Sequence, residues 1–268
     1  MTADHPPGTT DAPQFLVRPD GSVAGDDGAA GTLAAALPYA GRLARRTGEL
    51  LGAGDLRLLE AFGRQHLIVG VTWTPAGEGT FRAVVAPLAP RTVPTFTVVG
   101  AVDPAAAVAH CLGRLAGVAG VTWGAVVAAD ARVIGLAGDE QDLDRLAEAG
   151  NRMLAILGSL EDQHVAGFVR LRFEEGALVG ASIGRHALVA AVTTADDDAL
   201  VAMIDEIRAI LADQDLSAMP PHRKEQAGEP VAPAPAEAPP VAPAPLVGAR
   251  FGGASPAPRK GRRSRFGR

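Results

Sequence analysis

The sequence predicts a mixed fold of the α/β (α+β) class, made of two small units that each carry an antiparallel sheet of about five strands packed with helices. A repeat with a shift of 110 residues brings Val17–Gly25 onto Val127–Gly135. Short apolar runs between turn residues alternate with long amphipathic stretches, as is typical of strands and helices. Solenoid proteins repeat roughly every 20 to 50 residues. A repeat as long as this one therefore indicates two copies of one domain.

Composition agrees with two folded units. The chain has 268 residues, of which 47% are hydrophobic and only 4% aromatic, so the cores must consist mainly of Ala, Val, Leu and Ile. Cys111 is the single cysteine, which excludes an internal disulfide. The first residues do not resemble a signal peptide, and no apolar run of about 18 residues is present. We therefore expect a cytoplasmic protein.

The first unit is predicted over residues 14–87, after residues 1–13, whose Pro, Gly and Thr content predicts disorder. Pro19, Asp20 and Gly21 form a turn signal between its first two strands. We expect Pro38 to kink or break the helix that follows. The predicted elements are the strands Gln14–Val17 and Ser22–Gly25, the helix Thr32–Leu51, and the strands Leu56–Ala61, Leu67–Trp73 and Thr80–Ala86.

The second unit is predicted over residues 103–212, behind a Pro-rich connector at 88–102 with a possible further strand at Thr95–Val99. Asp103 followed by Pro104 is a favourable start for a helix. The predicted elements are the helix Asp103–Leu115, the strands Val121–Ala128 and Arg132–Leu136, the helix Asp139–Leu157, the strands Val165–Phe173, Ala177–Ile183 and Ala187–Val192, and the helix Asp196–Leu211.

Beyond Asp213 we expect regular structure to stop. Pro and Ala alternate over Val231–Pro245, a composition that cannot bury enough apolar surface to fold and that predicts a disordered tail at 213–268. Residues 222–268 carry nine basic and three acidic residues, a net charge of +6, which leaves −11 on the rest of the chain. An acidic body with a basic end indicates different partners for the two parts, or contact between them.

The second unit resembles the Roadblock family of dynein light chains and the bacterial polarity protein MglB. The resemblance is carried by Gly117, Val118 and Gly120 before the strand that leads to Asp130, and by the order helix, two strands, helix, three strands, helix. Ala131 stands where the family often has Gly. The resemblance covers 103–212 well and 14–87 less well, because the first unit lacks the opening helix.

The resemblance implies a scaffold without an active site that acts on small GTPases of the Ras type. Its partners would be a small GTPase or another Roadblock-type protein. Family members pair through the central helix and the edge of the middle strand, which implies pairing within this chain or a homodimer. The surfaces involved would be Thr32–Leu51 with Leu56–Ala61, and Asp139–Leu157 with Val165–Phe173. Pairing of exposed strand edges also removes a hazard of aggregation.

Residue patterns that carry chemistry are scarce. The Gly-rich runs Gly25–Gly31 and Gly48–Gly54 lack the Lys and Ser or Thr of a phosphate-binding loop, so we interpret them as flexible turns. The six histidines are scattered and no metal-ligand spacing occurs. We therefore predict no enzyme activity, no cofactor and no metal. Cys111 is predicted to be a small buried hydrophobe.

Three groups of residues are candidates for binding. Arg42, Arg45 and Arg46 form a basic helix face, which is either solvated or pairs with an acidic partner. Trp73 and Trp123 are either core residues or contacts to a partner. The last group lies at the basic end of the tail: Arg259, Lys260, Arg262, Arg263, Arg265 and Arg268.

Two alternative functions remain open from the sequence. In one, the basic end anchors the chain weakly to nucleic acid or to an anionic membrane surface. In the other, the body is an α/β sensor of a small molecule, which requires a cavity.

Overall fold

The computed structural model describes residues 14–25, 27–63, 65–88, 103–160, 167–193 and 197–222. Within these ranges ten strands form one antiparallel sheet in the order β2-β1-β5-β4-β3-β8-β9-β10-β6-β7. The predicted fold class, a mixed α and β fold built on antiparallel sheet, is confirmed. The predictions for residues 1–13, for Thr95–Val99 and for 223–268 fall outside the described residues.

The elements lie close to their predicted positions. In the first half they are β1 Gln14–Val17, β2 Val23–Gly25, α1 Asp27–Leu51, β3 Leu56–Phe62, β4 Gln65–Trp73 and β5 Gly79–Pro87. In the second half they are α2 Pro104–Ala116, β6 Val121–Val127, β7 Val133–Gly138, α3 Leu143–Leu160, β8 Phe168–Phe173, β9 Ala177–Ile183, β10 His186–Val192 and α4 Asp197–Leu211, followed by a 3-10 turn at Leu216–Ala218.

The two halves of the sheet have the same strand order. Counted within each half, both read second, first, fifth, fourth, third strand from the outer edge to the centre. The third strands, β3 and β8, pair antiparallel with each other, and Glu60 lies opposite Arg170 in their register. We call this β3–β8 junction the seam. The boundaries 14–87 and 103–212 for two separate units stay a prediction.

Helices cover both faces of the sheet in the second half. Helices α1 and α3 lie on one face, above an apolar core that includes residues of both halves, such as Leu59 and Leu171. Helices α2 and α4 lie on the other face, above a second core around Phe168 and Leu188. In the first half, no helix among the described residues packs on that second face. The first core therefore joins the two halves on one face of the sheet. On the other face, the described helices cover only the second half.

Helix α1 differs from its prediction in its first residue and at Pro38. It begins at Asp27 instead of Thr32 and runs through Pro38 without a break. Proline removes one helical hydrogen bond and crowds the preceding turn. Here the buried residues Leu33, Leu37 and Ala40 hold both sides of that turn against the sheet, so packing outweighs the local cost.

The Gly-rich runs are the predicted turns only in part: Gly52 and Gly54, with φ of 70° and 80°, lie in the turn between α1 and β3. Gly25 ends β2, and residues 27–31 and Gly48 are helical. A Cβ atom on Gly48 would lie 2.3 Å from the carbonyl oxygen of Gly54 and 2.7 Å from the ring of Phe173. Glycine at this position therefore permits a close approach of α1 to β8.

Two other boundaries have local causes. Helix α3 begins at Leu143 instead of Asp139, because the Asp142 carboxylate accepts hydrogen bonds from the backbone N–H groups of Asp144 and Arg145 at 2.9 and 3.1 Å and caps the helix there. Regular structure continues past Asp213 in the 3-10 turn, where the Asp215 carboxylate accepts from the N–H of Ser217 at 3.2 Å.

Candidate functional site

The outer side of α1 and α3 is a surface built by both halves, which we call the helical platform. The two helices contact each other, and Arg152 Nη1 on α3 donates to the carbonyl oxygen of Arg46 on α1 at 2.6 Å. Tyr39 is 45% exposed, which is unusual for a large side chain in this body. Tyr39, Arg42 and Arg46 are spaced three or four residues apart and all are exposed. They therefore form one outward stripe.

The three predicted arginines do not share one surface. Arg42 and Arg46 lie on the platform stripe, whereas Arg45 points along a different side of the helix. Its Nε atom lies 2.8 Å from Asp55 Oδ1, and its guanidinium carbon lies 5.0 Å from the centre of the Trp73 ring. Successive helix positions are rotated by about 100°, which separates Arg45 from Arg46. Arg45 is thus engaged within the first half.

The two predicted tryptophans occupy different environments. Trp73 is half-buried, packs edge-on against Phe81 with ring centres 6.1 Å apart, and donates from Nε1 to the carbonyl oxygen of Leu56 at 2.8 Å. Trp123 is 5% exposed and belongs to the core under the platform. Both rings therefore contribute to packing in this structure, and Trp73 keeps some exposed surface beside Arg45.

The seam contains a cluster of charges that the sequence did not reveal. Glu60 on β3 is 8% exposed and Arg170 on β8 is 4% exposed. Glu60 Oε2 lies 3.5 Å from Arg170 Nη1 and 3.1 Å from Arg172 Nε. His66 Nε2 lies 3.6 Å from Glu60 Oε1, a distance for an ion pair and too long for a hydrogen bond.

The surroundings of Glu60 fix its charge. Burial acts to raise the pKa of this carboxyl, but His66 and the two arginines outweigh burial and hold the pKa below its ordinary value. Glu60 is therefore ionised at neutral pH. The sequence around each of these residues does not predict that they form a cluster. Only the register of β3 on β8 brings a lone glutamate opposite an arginine that is far away in the sequence.

Aromatic rings lie beside the charged cluster at one end of the seam. Phe62 stacks on Phe168 across the seam with ring centres 4.3 Å apart, and on His66 at 4.4 Å. The guanidinium carbon of Arg170 lies 5.5 Å from the centre of the Phe62 ring. These rings limit access of water to the Glu60–Arg170 pair from that side.

A serine and a histidine approach each other near the β6–β7 turn. Ser217 Oγ lies 3.4 Å from His186 Nε2, and the N–H of Ala129 donates to His186 Nδ1 at 3.3 Å. An Nδ1 atom that accepts must be unprotonated, so in the neutral ring the proton resides on Nε2. His186 then donates to Ser217 and cannot take its proton, which is the reverse of nucleophile activation.

The same region anchors the residues that follow α4. Arg132 Nη1 donates to the carbonyl oxygen of Met219 at 2.7 Å, and Arg132 Nη2 donates to that of Ser217 at 3.2 Å. The N–H of His222 donates to the carbonyl oxygen of Val133 at 2.7 Å. We call residues 215–222 the clamp segment. It closes over the β6–β7 end of the sheet.

Other candidate chemistry is sparse in the described ranges. They contain no group of three or more His, Cys, Asp or Glu residues placed to hold a metal ion. Cys111 is buried, and burial raises the pKa of its thiol, which disfavours the reactive thiolate. None of the helices in the described part of the chain is long and apolar enough to cross a membrane. The basic end of the tail, Arg259 to Arg268, lies outside the described residues.

A small-molecule sensor would need a cavity. Described residues line an open cleft of about 220 Å³ between the end of α1 and the Trp123 edge of β6, and another of about the same volume beside His186. Ligand pockets usually measure about 300–1,000 Å³. The sensor interpretation therefore gains no support from these clefts.

Comparison with solved structures gives a partial likeness of fold. No family model and no curated protein matches the chain. Among solved structures, a crystal structure of a Roadblock/LC7 domain from Streptomyces avermitilis is similar, with a TM-score of 0.33 and 18% sequence identity, over 37% of this chain and 89% of that chain. A likeness at this level does not assign a function.

Proposed function

We propose that this chain is a non-enzymatic scaffold for protein interaction, built from two Roadblock-like units at 14–87 and 103–212, and that its partner is a bacterial small GTPase of the Ras type. The observation that carries the proposal is the helical platform. Pairing of the two halves places α1 and α3 side by side, and α1 presents Tyr39 with Arg42 and Arg46 on its outward side.

The platform has the dimensions and residue types of a docking surface. Helix α1 has 25 residues, which at about 1.5 Å per residue corresponds to a length of about 37 Å. A standard interface covers about 800 Å² of each partner, an area that two helices of this kind can supply. Tyr and Arg are residue types in which binding energy is concentrated.

The choice of a GTPase as partner follows from the sequence resemblance over Gly117–Asp130. The absence of a phosphate-binding loop in the sequence means that the nucleotide would belong to the partner. An enzymatic role receives no support from the Ser217–His186 contact, because the proton on Nε2 prevents His186 from acting as the base.

The test is direct binding of purified proteins. The full chain is titrated with a Ras-type GTPase from the same genome, loaded either with GDP or with a non-hydrolysable GTP analogue, and heats of binding are measured. We expect Arg42→Glu combined with Arg46→Glu to weaken binding at least tenfold, about 1.4 kcal/mol, because two attractive charges become repulsive towards an acidic partner.

Arg18→Glu is the matched control, since Arg18 is also exposed but lies in the β1–β2 turn. It should change affinity by less than twofold. Failure of every Ras-type GTPase of the genome to bind in either nucleotide state would refute the GTPase as partner. Equal effects of the control and platform variants would refute the platform as the binding surface.

A further inference from the structure

We infer that the opposite charges of Glu60 and Arg170 favour pairing of β3 with β8. Between copies of the chain, they disfavour pairing of β3 with β3 or of β8 with β8. The inference concerns assembly of the body and holds whatever the platform binds.

The two sides of the seam are related by the sequence repeat. Glu60 and Arg170 are 110 positions apart, which is the shift of the sequence repeat, so they occupy equivalent places in the two halves. They also face each other directly in the β3–β8 register. Each is therefore at the centre of the junction, where a pairing between two identical strands would bring the residue opposite itself.

Pairing of identical strands from two copies would bring like charges together. If β3 paired with β3 of another copy in the same register, two Glu60 carboxylates would face each other. If β8 paired with β8, two Arg170 side chains would meet, and the two Arg172 side chains would lie on the same face of the junction. Like charges repel strongly when burial removes water between them. Only the β3–β8 combination places opposite charges, Glu60 and Arg170, against each other at its centre.

Burial decides how strongly these charges discriminate between partner strands. Both central residues are less than one-tenth exposed, and the Phe62–Phe168 stack lies next to them. A further ion pair across the same seam, Arg57 with Glu174, has side chains that are 54% and 44% exposed. Water screens such a surface pair, so it discriminates little between partners.

The experiment uses charge reversal in the full chain. Glu60→Arg makes both central positions basic and Arg170→Glu makes both acidic. We expect each variant alone to lower the melting temperature by about 10 °C, as estimated for loss of a buried pair in a domain of this size. The double variant, with the charges exchanged, should recover more than half of that loss. Complete recovery is not expected, since Arg172 and His66 remain beside position 60.

Arg57→Glu is the matched control at the exposed pair, and it should shift the melting temperature by less than about 2 °C. A second readout uses mixing. The two single variants, unfolded together and refolded as an equimolar mixture, should yield particles of twice the chain mass, because any seam between the two different chains brings opposite charges together. Neither variant should form such particles alone.

Some outcomes would overturn the inference. These are single variants that melt like the wild type, a double variant no more stable than the single ones, or a double variant that fails to fold. A single variant that doubles in mass without its complement would also overturn it, since like charges at the centre would then permit pairing between copies.

Discussion

At the scale of residues, His186 connects the sheet to the clamp segment. The ring accepts from Ala129 at one nitrogen and contacts Ser217 at the other. Burial, followed by the charge of Arg185, lowers the pKa of His186, so the folded state favours the neutral ring. Protonation would remove the acceptor that Ala129 uses.

This arrangement predicts a pH dependence of stability. Because the folded pKa is lower than the unfolded one, the unfolded chain binds the proton more readily and stability rises with pH. The contribution of His186 is complete above the ordinary histidine pKa of about 6.5 and is lost as the pH falls through the folded pKa. We expect melting temperatures measured from pH 8 to pH 5 to fall less steeply in His186→Gln than in the wild type.

The exposed His110 on α2 provides the comparison for this experiment. His110→Gln should leave the pH profile of the wild type unchanged. Parallel profiles for the wild type and His186→Gln would contradict the assigned role of His186.

At the scale of elements, the approach of α1 to β8 depends on Gly48. Its missing side chain leaves room for the Gly54 carbonyl and the Phe173 ring. Phe173 belongs to the second half, so this contact helps to hold α1 across the seam. Gly158 on α3 offers a contrast, since a Cβ atom there would meet nothing within 4 Å.

Alanine substitution should separate these two positions. We expect Gly48→Ala to lower the free energy of unfolding by about 1–3 kcal/mol through overpacking. Gly158→Ala should raise it by up to about 1 kcal/mol, because alanine favours a helix. Urea unfolding followed by circular dichroism gives both values. A stabilising Gly48→Ala would show that α1 does not approach β8 closely.

The elements also show what a single sequence can predict. The ten strands of the described ranges were predicted within a few residues, because each is a short run rich in apolar residues with turn residues at its ends. The first turn of α1 and its passage through Pro38 were missed, since local propensities of Gly and Pro oppose a helix that packing maintains. The seam charges were missed for another reason. Their meaning depends on register between strands that are distant in sequence.

The candidate platform was predicted in part. The stripe of Arg42 and Arg46 follows from helical spacing, which the sequence displays. The diversion of Arg45 towards Asp55 and Trp73 does not, because both partners lie beyond the end of the helix and their positions depend on the turn at residues 52–55.

At the scale of the whole molecule, one core joins the halves. The core under α1 and α3 contains Leu59 and Val69 of the first half together with Leu171 and Met153 of the second. Unfolding of either half would expose apolar surface of the other. We therefore expect both halves to unfold in one cooperative transition.

Tryptophan fluorescence can report on the unfolding of each half, because Trp73 lies in the first half and Trp123 in the second. In Trp73→Phe and in Trp123→Phe, the remaining tryptophan fluorescence and the circular dichroism should give the same urea midpoint. A fluorescence midpoint that departs from the circular dichroism midpoint in either variant would indicate halves that unfold separately.

The seam also sets the stoichiometry and polarity of any complex. A platform assembled from two identical chains has a twofold axis and offers a partner two equivalent orientations. Here α1 and α3 differ in sequence, and α2 and α4 cover only one end of the sheet. The two ends of such a platform differ. We therefore expect one bound partner per chain, in a single orientation. Dilution would not separate the two halves of the platform, because they belong to one covalent chain.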